Sequence, residues 1–184
     1  MRYSILLGSI VAFGLAQQAM ADDLSYTYVE AGYFNADDVD LDGFDIKGSY
    51  GFTDLLHGFA SYSDGSFDGG GDLKAYEVGL GLNYSLNPAI DAIGTLSYVN
   101  ADYEVGSDDG YKLSARLRGR VGSGFELEGG VNYVDLNDAG DNTYFDVGGR
   151  YYFTPAFALG AGVEVDNDDE TWRVSFRYNF ANKR

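Results

Sequence analysis

Alternation of apolar and polar side chains runs through almost the whole chain. In residues 42–53, Phe44 and Ile46 fall on one face of an extended strand. Asp45 and Lys47 fall on the opposite face. Because successive side chains of a β-strand point to opposite faces, this period of two predicts strands, and no segment shows the periodicity of a helix. The chain is therefore expected to be all-β.

Ten such segments are separated by clusters rich in Gly, Asn, Asp and Pro. They are residues 24–35, 42–53, 56–64, 73–85, 90–101, 111–121, 125–136, 143–153, 157–165 and 171–180. Tight turns alternate with longer acidic loops, as in a transmembrane up-and-down antiparallel β-barrel. We predict ten strands, with eight as the alternative because segment 56–64 is weak and carries Phe59 on its polar face.

Aromatic residues at both ends of the apolar face predict that this face looks outward to lipid, unlike the inward apolar face of a soluble lipocalin-like barrel. Two aromatic girdles are expected at the membrane interfaces. Near the loops these residues are Phe44, Tyr62, Tyr76, Tyr98, Tyr111, Tyr133, Phe145 and Trp172. Near the turns they are Phe52, Tyr84, Phe125, Phe153, Phe157 and Phe180.

The polar face carries equal numbers of acids and bases, although the whole chain has a net charge of −17. The acids are Glu30, Asp45, Glu77, Asp91, Glu126, Glu128, Asp146 and Glu164. The bases are Lys47, Lys112, Arg116, Arg118, Arg120, Arg150, Arg173 and Arg177. This balance predicts a charge network in the lumen, and most of the negative charge is then expected in the loops. A hairpin centred on Ser123 places Arg118 opposite Glu128 and Arg120 opposite Glu126, where opposite charges stabilise each other.

The first 21 residues have the features of a secretory signal peptide. Arg2 precedes an apolar run from Ile5 to Ala16, and Ala19-Met20-Ala21 provides a small-residue cleavage site. We therefore expect residues 1–21 to be removed and residues 22–184 to form one outer-membrane barrel domain. There are no cysteines, so neither disulfides nor thiolate metal sites are expected.

The stretches LSYTYVEAGYFN (24–35) and DGFDIKGSYGF (42–52) carry a resemblance to known proteins. They are similar to the N-terminal hairpin of small xanthomonad-type outer-membrane barrels. More broadly, the mature chain resembles the small outer-membrane β-barrel proteins of Gram-negative bacteria, the OmpA/OmpX-like group. The resemblance implies a location in the bacterial outer membrane and insertion by the barrel-assembly machinery, without a settled activity.

Few residues of the sequence are candidates for catalysis or metal binding. The one histidine, His57, is expected near a turn, where a structural role outweighs a catalytic one, and no cofactor is predicted. The stretch Asp38 to Gly43 matches the start of a calcium loop, but Ser49 occupies the position of the bidentate Glu, so no metal site is predicted. Weak divalent-cation binding at Asp108-Asp109 and at residues 166–170 stays open. The acidic charge excludes nucleic acid as a partner.

These features predict a non-enzymatic outer-membrane barrel with a structural or surface-interaction role. Its acidic loops are expected to face outer-membrane lipid and lipopolysaccharide. The alternative is a narrow porin-like channel, because ten strands enclose more room than eight. An outer-membrane barrel enzyme is the third interpretation, and it lacks a visible base and nucleophile at the rim.

Overall fold

The computed structural model describes residues 24–103, 106–166 and 170–180. The predicted signal peptide, residues 1–21, lies outside these ranges. The strands are β1 (Tyr28–Ala36), β2 (Leu41–Gly51), β3 (Leu56–Phe67), β4 (Asp72–Asn87), β5 (Ile90–Tyr103), β6 (Gly106–Val121), β7 (Phe125–Leu136), β8 (Gly140–Tyr152), β9 (Phe157–Val165) and β10 (Glu170–Asn179). A short 3-10 helix, Asp37–Val39, follows β1. Within the described ranges, no helix is long and apolar enough to cross a membrane.

The ten strands form a closed barrel. Each pairs antiparallel with its neighbour in sequence, and β1 pairs with β10 to close the sheet, with Glu30 opposite Arg177. Closure leaves no strand edge exposed to lipid, where unpaired backbone groups find no water. The predicted up-and-down barrel of ten strands is confirmed, and the eight-stranded alternative is wrong. The weak segment 56–64 lies within β3, which continues to Phe67, and its Phe59 is buried, with the Lys47 ammonium 4.8 Å from the ring centroid.

The outside of the barrel is apolar and its inside is charged. Val78, Leu117 and Phe176 come from three strands and are 57%, 55% and 42% exposed. Arg118 and Glu126, by contrast, are 3% and 0% exposed. In a water-soluble protein the large apolar side chains are buried and the charged ones solvated. The exterior is therefore suited to contact with acyl chains.

Aromatic side chains lie near both ends of this apolar surface. Of the fourteen residues expected in the girdles, twelve are exposed. Tyr62 and Tyr133 are half-buried, because their rings pack against Tyr76 and Tyr111 at centroid distances of 4.9 and 6.2 Å. Three further exposed tyrosines pack beside girdle residues: Tyr33, Tyr50 and Tyr151.

The connections at the two ends of the barrel have similar lengths, contrary to the prediction of long loops. The end that holds residues 24–27 and Phe180, called the turn end, has connections 52–55, 88–89, 122–124 and 153–156. At the opposite loop end, β1 and β2 are joined by residues 37–40. The predicted loop 102–110 is mostly strand, because β5 continues to Tyr103 and β6 begins at Gly106. The backbone pairing of a hairpin continues beyond the membrane. There both faces of the hairpin meet water, so apolar and polar residues no longer alternate, and the prediction of strand ends depended on that alternation.

Candidate functional site

The lumen gathers the charged residues that alternation assigned to the polar face. Twelve of the sixteen line one cavity. Asp91, Arg118 and Glu126 are buried nearer the turn end, and Arg120 lies over the ring of Tyr152, 5.1 Å from its centroid. The lumen is therefore divided into a filled half and an open half.

The filled half is built around Glu126, whose side chain is fully buried. Arg118 donates two hydrogen bonds to its carboxylate, each 2.9 Å long. Arg150 donates a third, and the Tyr152 hydroxyl donates another over 3.3 Å. We call these four residues the floor cluster. Because every charge in it faces an opposite charge, the cost of burying it is offset only while all members are present.

The chain that precedes β1 closes the turn end above this cluster. Tyr26 is 9% exposed, and its hydroxyl donates a hydrogen bond to Asp91 over 2.7 Å. Its ring stacks on His57 at 5.0 Å and faces the Arg118 guanidinium at 5.1 Å. Arg118 also donates to the carbonyl of Ser25 over 2.9 Å. Residues 24–27, named here the plug segment, precede β1 and place the Tyr26 side chain in the lumen, while the Thr27 carbonyl accepts a backbone hydrogen bond from Phe180 over 3.0 Å.

A middle layer of ion pairs crosses the closing seam of the barrel. Glu30 accepts hydrogen bonds from Arg173 over 2.7 Å and from Arg177 over 2.6 Å. Glu128 accepts two from Arg150, both 2.9 Å long. Charges from β1, β7, β8 and β10 therefore neutralise one another across the lumen.

The β6–β7 hairpin has the expected register, with Arg118 opposite Glu128 and Arg120 opposite Glu126. The side chains nevertheless form their hydrogen bonds with other residues. Arg118 reaches diagonally to Glu126, and Glu128 binds Arg150 instead. Arg120 faces an aromatic ring rather than a carboxylate. The expected pairing of directly opposite residues is therefore wrong, since a long guanidinium side chain reaches past its cross-strand neighbour.

The open half is a vestibule of about 480 Å³ that reaches the loop end. One part of its wall is polar. Lys112 donates to Glu77 over 3.0 Å, and Arg116 donates to Asp146 over 2.6 Å. Asn132 also donates to Asp146, over 2.6 Å. The volume falls in the range of small-molecule sites.

Another part of the vestibule wall is apolar and was missed in the sequence. We call it the apolar arc, and its residues are Phe34, Ala36, Val39, Leu41, Leu73 and Ala75. Phe34 and Ala36 share the inward parity of Glu30 on β1, and Leu41 shares that of Asp45 on β2. Following parity to the strand ends would have found them. The vestibule therefore presents both charged and apolar surface to a solute.

Two charged residues of the vestibule wall, Lys47 and Glu164, differ from the rest. Within the described ranges, neither has an oppositely charged group within 4.0 Å, whereas the other ten do. Glu164 lies opposite Asp146 in the β8–β9 register, and Asp146 already binds Arg116. The wall thus offers one ammonium group and one carboxyl group without an ion-pair partner within 4.0 Å among the described residues.

His57 has a packing role. It is 6% exposed, between Tyr26 and Phe59. Its ring covers Gly81 so closely that a Cβ at this position would lie 2.1 Å from the imidazole Cε1. A glycine on the facing strand is therefore required by this ring.

Asp108 is a structural residue of the loop end. Its side chain is 7% exposed and accepts hydrogen bonds from the backbone N–H groups of Asp138 and Ala139, the latter over 2.8 Å. Its carboxylate is thus engaged by backbone donors rather than solvated. No group of three or more potential metal ligands occurs among the described residues.

The fold is similar to those of small outer-membrane channels. The KdgM porin matches with a TM-score of 0.56 and 12% identity, over 84% of this chain and 100% of that one. The NanC porin matches with 0.55 and 9% identity, over 83% and 100%. An outer membrane channel from Pseudomonas putida F1 matches with 0.53 and 12% identity, over 89% and 100%. No protein-family model and no curated protein matches the sequence. These neighbours are bacterial outer-membrane barrels, which supports an outer-membrane location for this chain.

Proposed function

We propose that the protein is a narrow outer-membrane channel for small solutes, closed at its turn end in the structure described here. The observation that carries this proposal is the vestibule of about 480 Å³. A purely structural barrel of small size fills its interior with side chains. Here only the half at the turn end is filled. In the expected orientation the vestibule opens to the cell exterior and the plug segment faces the periplasm.

The plug segment supports this proposal because its Tyr26 side chain can leave the lumen without breaking a backbone pairing of the sheet. Its direct ties to the wall include the hydrogen bond from Tyr26 to Asp91 and those from Arg118 to Ser25 and from Ser49 to the Tyr26 carbonyl. None of these is a pairing between two strands. Displacement of Tyr26 extends the vestibule toward the periplasm along Arg118 and His57.

A structural or surface-interaction role is the second candidate. It is favoured by the floor cluster, whose members are all paired and hold the lumen shut. An enzyme is disfavoured, because His57 is buried among aromatic rings beyond the vestibule. The neighbours named above are also channels rather than enzymes.

As further parts of the proposal, the chain is related to the small OmpA/OmpX-like and xanthomonad-type barrels. It contacts lipid and lipopolysaccharide, and it is inserted by the barrel-assembly machinery.

Planar-bilayer conductance of the purified protein tests the channel proposal. We expect Tyr26→Ala to raise single-channel conductance or open time several-fold over the wild type, because it removes the ring that closes the lumen. Tyr50→Ala is the matched control, since Tyr50 is 60% exposed on the outer face of β2. If Tyr26→Ala folds into a barrel but stays as silent as the wild type, the channel proposal fails and the structural role replaces it.

A further inference from the structure

We propose that the vestibule binds short peptides with apolar side chains and free, charged termini. This inference rests on the proposed function, because it names the class of solute that would enter the channel. It is carried by the two charged residues of the vestibule that have no ion-pair partner in the described part of the chain, by their separation, and by the part of the apolar arc that lies between them.

The charge pattern of the wall favours a zwitterion over a net anion or cation. The twelve charged residues that line the vestibule are six acids and six bases. Ten of them have an ion-pair partner, which leaves Lys47 and Glu164 as complementary binding groups. A solute with a single charge satisfies one of the two and leaves the other unpaired. A solute with one charge of each sign satisfies both.

The surroundings of each group favour this assignment. The Lys47 ammonium is held over the Phe59 ring, 4.8 Å from its centroid, and lines the vestibule as a donor for a carboxylate. Glu164 is exposed to the vestibule and lies beside Asp146 in the sheet. A bound ammonium group there relieves the repulsion between the two carboxylates.

The spacing selects a peptide rather than a single amino acid. In the sheet register, Lys47 lies opposite Glu30 on β1. Glu164 lies opposite Thr171 on β10, and Thr171 lies opposite Ala36, six residues further along β1 than Glu30. On the wall the two groups are therefore about 14 Å apart across three strand spacings and about 20 Å apart along the strands. The Lys47 ammonium lies over Phe59, which pairs with Ser49 on the turn-end side of Lys47, so this side chain does not shorten the separation. The adjacent charges of an α-amino acid do not span it, whereas an extended chain that advances about 3.3–3.6 Å per residue does so in about six or seven residues.

Three residues of the apolar arc, Phe34, Ala36 and Leu41, lie on β1 and β2 on the stretch of wall between the two charges. Going up β2 from Lys47, the inward side chain at the loop end is Leu41, which pairs with Ala36 on β1. Phe34 lies two residues below Ala36 on the same inward face. Contact with these wall residues therefore removes the apolar side chains of a bound peptide from water.

Four heptapeptide probes and calorimetric titration of the wild-type protein in detergent micelles test this site. The probes are Ala-Ala-Ala-Phe-Ala-Ala-Ala, its N-acetylated form, its C-terminal amide, and heptaglycine. We expect the free Phe-containing heptapeptide to bind most tightly and each of the other three to bind at least tenfold more weakly. Equal binding of all four probes, or no binding of the free Phe-containing heptapeptide, overturns the proposal.

Two variants assign each end of the peptide. With Glu164→Gln, N-acetylation should no longer weaken binding, because the partner of the ammonium is gone. With Lys47→Gln, amidation should no longer weaken it. Lys74→Gln, on the outer face of β4, is the matched control and should behave as the wild type. If either lumen variant keeps the full discrimination of the wild type, the assignment is wrong.

The experiments distinguish a failure of the peptide site from a failure of the channel proposal. Peptide binding with a silent Tyr26→Ala variant retains the site and rejects the channel. Conduction by that variant without peptide binding retains the channel and rejects this class of solute.

Discussion

Removal of the Glu126 carboxylate should be among the most damaging single changes in the lumen. Its two principal partners are affected unequally. Arg150 keeps Glu128, with two hydrogen bonds of 2.9 Å, and remains 3.6 Å from Glu30. Arg118 keeps only the Ser25 carbonyl and the face of the Tyr26 ring. Glu126→Ala therefore leaves one guanidinium, 3% exposed, without a counter-charge.

The expected loss follows from that lone charge. Breaking a buried ion pair by removing one partner costs about 3–5 kcal/mol. For a domain of this size each kcal/mol lowers Tm by about 2–4 °C, so Glu126→Ala should lower it by about 6–20 °C. Glu128→Ala should cost less, about 1.5–3 kcal/mol, because Arg150 keeps Glu126 and Arg116 keeps Asp146. Asp102→Ala, at an exposed position, should change stability by less than about 0.5 kcal/mol.

Thermal and denaturant unfolding of the three variants in detergent micelles measures this order. The double variant Glu126→Ala, Arg118→Ala should recover part of the loss, since no unpaired charge then remains, and a double-mutant cycle gives the coupling. If Glu126→Ala and Asp102→Ala lose the same stability, or if the double variant is as unstable as the sum of its singles, the floor cluster is not a buried ionic unit.

Two further changes test the surface and the loop end. Leu80→Arg, in the middle of the outer face of β4, should reduce folding stability in lipid bilayers by about 2–4 kcal/mol, whereas Asp102→Arg, outside the girdle on β5, should cost about 0–1 kcal/mol; equal costs would contradict the lipid-facing exterior. Asp108→Ala should increase amide hydrogen exchange at Asp138 and Ala139, because their N–H groups lose their acceptor. Unchanged exchange at both amides would show that this carboxylate does not order the β7–β8 connection.

The direction of nearly every side chain could be predicted from the sequence, because parity along a strand is a strict geometric rule. The position of the tight turn at Ser123 predicted the register of the β6–β7 hairpin. Partner choice could not be predicted in this way. Arg118 contacts Glu126 rather than the residue opposite because a long, flexible side chain has several carboxylates within reach.

The division of the lumen was also beyond the sequence. Charge counting gave a neutral interior, but it does not tell whether the charges fill the lumen or only line it. The closure depends on Tyr26, which lies within the predicted segment 24–35 and shares the inward parity of Glu30, but parity does not tell that its ring fills the lumen beside Arg118. The loop end was misjudged for a related reason, since alternation disappears where both faces of a hairpin meet water.

The seam between β1 and β10 has a consequence for how the protein assembles. The acceptor at the centre of the middle layer, Glu30, is 143 and 147 residues away along the chain from the two arginines that neutralise it. Until the first and last strands meet, a partly inserted chain carries these three charges apart, next to a medium that penalises lone ions. Docking of the final strand therefore completes the sheet and neutralises these lumen charges in the same event. An intermediate with nine inserted strands is unfavourable as a result, and the last step of insertion is strongly cooperative.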